Sequence, residues 1–396
     1  MGDKKIFPNS LRRALLRVDF NVPINKGEIT DFTRIETALP TIRHLLNLKY
    51  NIVIITHLGR PNGWDPDLSL HILVAPLSKM LGREVFFYDS NILNSSTKEL
   101  PLKEITLLEN IRFYTQETSN DFEFSKNLAA YGDIYVNDAF GVSHRKHASV
   151  YGIRQFFKSK YMGKLVDKEL KELNKIKKNP QHPLTLVIGG SKVSSKIKLL
   201  DFFLDLADNI IIGGGMAFPF IKLSNGQIGK SLCKDSELEL AKSFVKKTSY
   251  SGTKIILPVD CVSSTEISNN SDIVINDIRK IPSNYMGLDI GPKSIELFSS
   301  IIFQSKSILW NGPMGVFEIA KFSGGTDTVA KAIVKQINNE SYCLAGGGDT
   351  LSAISNLSIG NKFSYLSTGG GAMLEFFQEN DLPGVLKLQP LKDLHI

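Results

Sequence analysis

The sequence predicts an α/β protein of two Rossmann-like lobes, each a parallel sheet flanked by helices, joined by a hinge helix. Three observations carry this expectation. Short apolar or β-branched runs alternate with helically spaced apolar residues along the 396-residue chain, which is the rhythm of parallel sheets. Of the 11 arginines, ten lie in residues 1–154 and only Arg279 comes later. Apolar runs of the second half end instead in glycine-rich turns: Gly189-Gly190-Ser191-Lys192, Gly213-Gly214-Gly215, Asn311-Gly312-Pro313, Gly346-Gly347-Gly348-Asp349-Thr350 and Gly369-Gly370-Gly371. An arginine fork suits a compact anion bearing carboxylate or phosphate. Backbone N–H groups in glycine turns suit a polyphosphate chain and a flat base. The chain therefore reads as two half-sites for two anionic substrates.

The elements follow in order. Strands are expected at residues 14–20, 51–56, 84–88, 105–108 and 134–136, all short and rich in β-branched or apolar side chains. Ile35, Leu39, Ile42 and Leu46 recur at helical spacing after the first of them. These make a first lobe over residues 1–162. A helix over 163–178, starting after Tyr161-Met162-Gly163 and stopping before Asn179-Pro180, joins the lobes, and its Lys171, Lys175, Lys177 and Lys178 read as a solvated face. The second lobe, 179–375, repeats the rhythm with runs at 184–188, 209–212, 254–259, 272–275, 307–310, 342–345 and 365–367. Residues 376–396 form a tail expected to return to the first lobe.

Composition narrows the function. A net charge of +7 and a pI near 9.0 favour anionic partners. Nucleic acid is a poor candidate, because the lysines are spread out and aromatics do not interleave with basic stripes. Cys233, Cys261 and Cys343 lie far apart with no CxxC, which argues against a disulfide framework and structural zinc. The run Met1-Gly2-Asp3-Lys4-Lys5-Ile6 lacks an apolar signal core, and the longest apolar stretch, 210–221, is too short to span a bilayer. A cytoplasmic protein without a membrane partner is expected.

Parallel sheets bind ligands past the carboxyl ends of their strands, and the distinctive residues sit there. In Arg17-Val18-Asp19-Phe20-Asn21-Val22-Pro23, Asp19 and Asn21 share one face and suit sugar-like hydroxyls; a strand-end turn before Pro23 is the alternative. Arg34 opens the first helix. His57-Leu58-Gly59-Arg60-Pro61, Arg112 and the run Asn137 to His147, with His144 and Arg145, follow later strands. No acidic set at zinc spacing accompanies the histidines. In the second half, Gly189-Gly190 leads into Lys192 and Lys196, expected one turn apart on the face of a starting helix. Gly213 and Gly214 leave room for a flat ring or for close helix–sheet packing. Gly347, Gly348, Asp349 and Thr350 look like a second phosphate loop with a carboxylate for Mg²⁺. No Walker A loop and no GxGxxG fingerprint occurs in these runs.

From end to end these motifs resemble the phosphoglycerate kinase family. The matching stretches are 17–23, 31–34, 57–61, 108–113, 137–149, 189–197, 213–218, 257–260, 289–293, 309–318, 346–350 and 367–372, in the family's order. The resemblance implies reversible phosphoryl transfer between 1,3-bisphosphoglycerate and ADP, giving 3-phosphoglycerate and MgATP, in a hinge-closing monomer. It also implies residue roles. Asp19 and Asn21 would hold the glycerate hydroxyl and carboxylate region, and Arg34 the reacting carboxyl and moving phosphoryl group. His57, Arg60, Arg112 and Arg145 would bind the far phosphate, with Leu58 and Gly59 of the same turn in the triose site. Lys192 and Lys196 would contact the transferring and terminal phosphates; Gly213, Gly214 and Gly287 would line the adenine slot. Asn311 and Glu318 would meet phosphate and ribose, Asp349 would hold Mg²⁺, and Gly347, Gly348 and Thr350 the phosphate chain. Four positions depart from the family pattern: Ser195 for aspartate, Pro219 for threonine, Thr56 for serine and Tyr365 for histidine. Tyr365 would face Glu169 near the hinge, and tyrosine cannot become cationic. A different acyl-phosphate kinase and a non-catalytic anion receptor are the rival readings.

Overall fold

Side chains that alternate between two buried faces set the architecture. The computed structural model describes residues 12–89, 103–379 and 381–394; the amino-terminal run read above lies outside them. Strand β1 (Arg13–Val18) sends Ala14, Leu16 and Val18 into one apolar cluster and Leu15 into another. Strand β2 (Asn51–Ile55) divides Ile52 and Ile54 from Val53 and Ile55 in the same way. Burial on both faces is the mark of a central parallel strand, and it is why these runs read as unbroken apolar stretches. Between them α1 (Thr33–Asn47) lays Ile35, Ala38, Leu39, Ile42, Leu45 and Leu46 on the first cluster. Strands β3 (Phe86–Tyr88), β4 (Ile105–Leu108), β5 (Ile134–Asp138) and β6 (Lys160–Met162) complete the sheet together with the short pairing of Gln389–Pro390 on β6. Among the described residues the order is Gln389–Pro390, β6, β5, β1, β2, β4, β3, all parallel.

The chain divides into two compact units, Met1–Leu170 with Glu379–Ile396, and Lys171–Gln378. The division falls inside one continuous helix, α2 (Lys164–Lys177). Its start is anchored to the first unit: Asp138 Oδ1 accepts from Leu165 N (2.9 Å) and Val166 N (3.2 Å), and Thr41 Oγ1 accepts from Lys164 N (2.9 Å). Of its lysines, Lys171 and Lys175 are exposed, as is Lys178 just beyond it, whereas Lys177 is half-buried and donates to Phe376 O at 2.5 Å. The carboxy-terminal residues belong to the first unit, where Asn137 Nδ2 donates to Gly384 O at 2.9 Å.

The second unit holds β7 (Leu184–Ile188), β8 (Asn209–Ile212), β9 (Lys254–Ile256), β10 (Asp260–Ser264), β11 (Val274–Asp277), β12 (Met286–Ile290), β13 (Ser307–Asn311), β14 (Tyr342–Gly346) and β15 (Tyr365–Ser367). Six of them form a parallel sheet in the order β9, β8, β7, β13, β14, β15 among the described residues. The expected run at 272–275 does not join that sheet. It is β11, which pairs antiparallel with β10, itself antiparallel to β12. Asp260, Gly287 and Asp289 interrupt the apolar pattern of β10 and β12, so neither strand shows in the sequence. No described helix is long and apolar enough to cross a membrane.

Candidate functional site

In the first unit the site grows from the ends of β1, β2, β4 and β5. Asp19 follows β1, is 9% exposed, and pairs with the guanidinium of Arg34 from the first turn of α1. His57 follows β2, and its Nε2 lies 3.9 Å from Asp19 Oδ1. The 57–60 turn is held from two sides: Gly59 N donates to Asn21 Oδ1 at 2.8 Å, and Arg112 Nη1 donates to Gly59 O at 2.7 Å. Arg145 Nε donates to His144 Nε2 at 3.2 Å. Arg60 is exposed. Leu58 turns into the core, and Asn110 engages both its N–H (3.3 Å) and its carbonyl (2.8 Å). Thr56, the mild departure, donates to Val18 O (2.8 Å) and accepts from Phe20 N (2.9 Å), tying β2 to the end of β1.

The charge of this site is carried by arginine. Burial, then Arg17, Arg112, Arg34 and Arg145, push the His57 imidazolium well below the ordinary histidine range. Burial and nearby arginines bring His144 and His147 down to about 4. Burial brings Arg112 down to about 10, which leaves it charged at neutral pH. Neutral imidazoles thus stand among fixed guanidinium groups.

Sequence reasoning missed a buried support behind them. Arg17, Glu117 and Ser149 are all 0% exposed. Arg17 Nε donates to Ser149 Oγ (2.9 Å), which donates to Glu117 Oε1 (2.7 Å). An arginine inside the apolar run Leu15-Leu16-Arg17-Val18 was the available signal, since a buried charge requires a partner. Glu117, in the one-turn helix Thr115–Thr118, carries no such signal.

In the second unit the loops after β7, β8, β13 and β14 converge. A Cβ at Gly189 would strike the carbonyl of Pro313, one at Gly213 the sulfur of Met314, and one at Gly214 the backbone of Gly190 and Pro313. At Gly213 the space that a side chain would take is filled by Met314, a residue of the loop after β13. A cavity of about 300 Å³ is lined by Gly214, Phe218, Gly287, Met314, Glu318 and Asp349, among others. Gly287 N donates to Ser231 Oγ at 2.9 Å, which fixes β12 along its wall. A second cavity of about 210 Å³ is lined by Lys196, Asn311, Gly347, Gly348, Asp349 and Thr350, among others. Asp349 borders both.

Lys192 and Lys196 do not share a helical face. The helix starts only at Ile197 (Ile197–Phe203), and both lysines lie in the preceding turn. Glu237 holds that turn open by accepting from Ser194 N (2.9 Å) and Ser194 Oγ (2.6 Å). Ser195 Oγ donates to Lys192 O at 2.9 Å. Lys192 is exposed, whereas Lys196 donates to Asn311 O at 2.9 Å, and burial, opposed by Asp349, lowers it to about 8. Asn311 Nδ2 donates to Gly346 O (2.6 Å), while its buried Oδ1 has no hydrogen-bond partner among the described residues. Gly347, at φ +100, turns β14 into the helix Gly348–Asn356, and Thr350 Oγ1 accepts from Gly312 N at 2.7 Å. Pro219 sits at the start of the helix Phe218–Leu223, where its missing N–H costs no helical bond. No group of three or more His, Cys, Asp or Glu placed to hold a metal occurs among the described residues.

Comparison with known proteins bears on this arrangement. A family model described as phosphoglycerate kinase matches residues 7–380. A phosphoglycerate kinase of Prochlorococcus marinus (strain MIT 9515) is 44% identical over 383 residues, covering 95% of each chain. One from Thermosipho africanus (strain TCF52B) is 45% identical over 388 residues, covering 97% of this chain and 96% of the relative. The solved phosphoglycerate kinase of Coxiella burnetii superimposes with a TM-score of 0.86 at 38% identity, covering 95% of this chain and 96% of that one. That of Pyrococcus horikoshii OT3 gives 0.77 at 29% identity, with 95% of each chain covered.

Proposed function

The chain belongs to the phosphoglycerate kinase family, and from that premise we propose that its first unit holds the triose substrate and its second the nucleotide. The enzyme transfers a phosphoryl group reversibly between 1,3-bisphosphoglycerate and ADP, giving 3-phosphoglycerate and ATP. The observation that carries the assignment of half-sites is the split of chemistry between strand ends. Arginines converge on Asp19 and His57 in one unit, and glycine turns line two cavities in the other, one of them with Lys196.

A carboxylate nucleophile needs no general base at neutral pH, so the site supplies position and positive charge. Arg34 steadies the moving phosphoryl group from the triose side, and Lys192 from the nucleotide side. His57, Arg60, Arg112 and Arg145 take the far phosphate, and Asp19 and Asn21 the glycerate. Gly214, Gly287 and Glu318 border the base and ribose; Lys196, Asn311, Gly347, Gly348 and Thr350 border the phosphates. Asp349 fits Mg²⁺, because that ion needs only one or two carboxylates when phosphate oxygens and waters complete its shell. Bound there, Mg²⁺ would neutralise charge on the phosphate chain. In-line transfer requires reacting atoms about 3–3.5 Å apart, so substrates held on separate units meet by hinge closure, read as a smaller radius of gyration in small-angle scattering with both ligands than with either. The same reading takes the enzyme to act in the cytoplasm as a monomer, without nucleic-acid or membrane partners.

A coupled assay for ATP-dependent phosphorylation of 3-phosphoglycerate tests the proposal. Turnover of acetate or aspartate instead would assign a different acyl-phosphate kinase, and nucleotide binding without turnover a receptor. Arg145→Ala is expected to raise KM for 3-phosphoglycerate roughly tenfold or more, the worth of one charged hydrogen bond, with KM for ATP nearly unchanged. Equal effects on both constants would contradict the division of substrates between units.

Lys196 makes nucleotide binding pH-dependent. Its folded value of about 8 lies below the ordinary 10.5, so its contribution to stability is present above 10.5 and lost as pH falls through about 8. Phosphate acts in the opposite sense by favouring the charged amine. ATP binding at pH 8.5 is therefore expected to take up a proton, and Kd to rise by up to about tenfold per pH unit above 8. Calorimetry in buffers of different ionisation enthalpy measures the uptake, and Lys196→Met is expected to abolish it. Uptake that persists in Lys196→Met would assign the proton to another group.

A further inference from the structure

We propose that Arg17 fixes His57 as a neutral imidazole with its proton on Nε2, and that Ser149 and Glu117 hold Arg17 in the orientation that does so. The proposal deepens the triose-site reading and rests on it for its consequence in binding, though not for its chemistry.

The argument is one of hydrogen-bond direction. Arginine can only donate. Arg17 is fully buried in β1, and all three of its nitrogens are engaged: Nη1 with Val18 O, Nε with Ser149 Oγ at 2.9 Å, and Nη2 with His57 Nδ1 at 3.1 Å. Ser149 Oγ therefore accepts from Arg17 and spends its own proton on Glu117 Oε1 at 2.7 Å. Glu117 Oε2 accepts from Ser149 N at 2.9 Å, and Tyr135 Oη donates to Ser149 O at 2.8 Å, so the serine cannot turn away. The chain of donors runs one way, from Arg17 through Ser149 to Glu117. By the same rule His57 Nδ1 must present its lone pair to Arg17. A proton on Nδ1 would set two N–H groups against each other. A neutral ring then carries its proton on Nε2.

The ring has little scope to be cationic instead. It is 2% exposed. Arg17 from β1, Arg34 from α1, Arg112 after β4 and Arg145 after β5 face it, and the carboxylate of Asp19 stands against them. Nε2 lies 3.9 Å from Asp19 Oδ1, too far for a hydrogen bond, so its proton is not spent on that carboxylate. His57 is thus a directed N–H donor set among permanent cations. It contributes orientation toward a bound anion, while the arginines contribute charge. Arg17, Ser149 and Glu117 are positioning residues, each acting through the next.

Long-range proton–nitrogen NMR on the full chain labelled with ¹⁵N-histidine reads the tautomer directly, with His57 assigned from the signals lost in His57→Gln. The expected spectrum from pH 6 to 8 is a protonated-type Nε2 and a lone-pair-type Nδ1. An Nδ1–H tautomer, or an imidazolium at pH 7, would overturn the proposal. Ser149→Ala is expected to shift the His57 nitrogens toward averaged values and raise KM for 3-phosphoglycerate about three- to tenfold, leaving KM for ATP unchanged. Glu117→Gln is the second variant should that one fold poorly. A wild-type tautomer in a folded variant of either kind would remove the support from Ser149 and Glu117. The stated tautomer in a protein that does not bind 3-phosphoglycerate would uphold the proton assignment and sink the triose reading alone.

Discussion

Alanine at Arg34 or at Lys192 is expected to lower kcat by about 10²–10³, the usual cost of removing one group that stabilises transition-state charge. On the proposed reading, Arg34 belongs to the triose half-site and Lys192 to the nucleotide half-site. Arg34 is a half-buried guanidinium paired with Asp19 at the start of α1. In the role proposed for it, its loss would remove one cation from the reacting carboxyl, while the other arginines remain. Lys192 is exposed in the turn after Gly190 and borders neither cavity of the second unit. A residue so placed adds little to ground-state nucleotide binding, so Lys192→Ala should act on kcat far more than on KM for ATP. Neither side chain belongs to an apolar core, and circular dichroism should show both variants folded. Steady-state kinetics decides the matter. Activity within a few-fold of wild type would take that residue out of the chemistry.

The second large effect is expected at Gly214. Its φ of 63° and ψ of −163° fall in a region that essentially only glycine occupies. An added Cβ would lie 2.8 Å from the nitrogen and oxygen of Gly190 and 2.9 Å from the oxygen of Pro313, all backbone atoms that cannot rotate aside. Backbone strain of about 1–3 kcal/mol and overpacking of about 1–3 kcal/mol combine to a destabilisation of about 2–6 kcal/mol for Gly214→Ala. That is a large share of the roughly 5–15 kcal/mol that holds a typical fold. Gly348 is the control. It begins the helix Gly348–Asn356, and an added Cβ there meets nothing within 4 Å. Gly348→Ala should change stability by less than about 1 kcal/mol. Urea denaturation midpoints distinguish the two, and equal midpoints would refute the account of close loop approach. The same contrast separates two settings of glycine in this unit, one that lets backbones touch and one that leaves a helix start open.

Much of the architecture was legible because buried parallel strands leave little room for other residues. Ile105–Leu108, Leu184–Ile188, Asn209–Ile212 and Tyr365–Ser367 begin and end where the apolar runs do. The boundary signals at Gly163 and Asn179-Pro180 likewise located Lys164–Lys177 to within a residue at each end. Among the strands that escaped, Asp260–Ser264 and Met286–Ile290 carry charges and a glycine whose partners come from elsewhere in the chain. Asp260, for example, accepts from Lys293 N (3.0 Å) and Ser294 N (2.8 Å) and is buried for that reason. The expected pairing of Lys192 with Lys196 on a helical face failed because Glu237, 43 residues from Ser194, engages the turn and the helix begins after it.

By itself the sequence determined the α/β class, the family, and the segregation of arginine loops from glycine loops. Each of these is written in local residue type and spacing: alternation buries a strand, glycine bares a backbone, arginine presents a fork. Only the tertiary structure decided which side chains those loops use and in what state. Arg17 meets Ser149 across 132 positions, Lys196 meets Asn311 across 115, and Gly213 packs against Met314 from another strand's loop. The physical reason is that burial and hydrogen-bond direction are properties of neighbours. A lysine lowered to about 8 and a histidine kept neutral take their chemistry from groups that the fold brings beside them, and residue spacing carries no record of those groups.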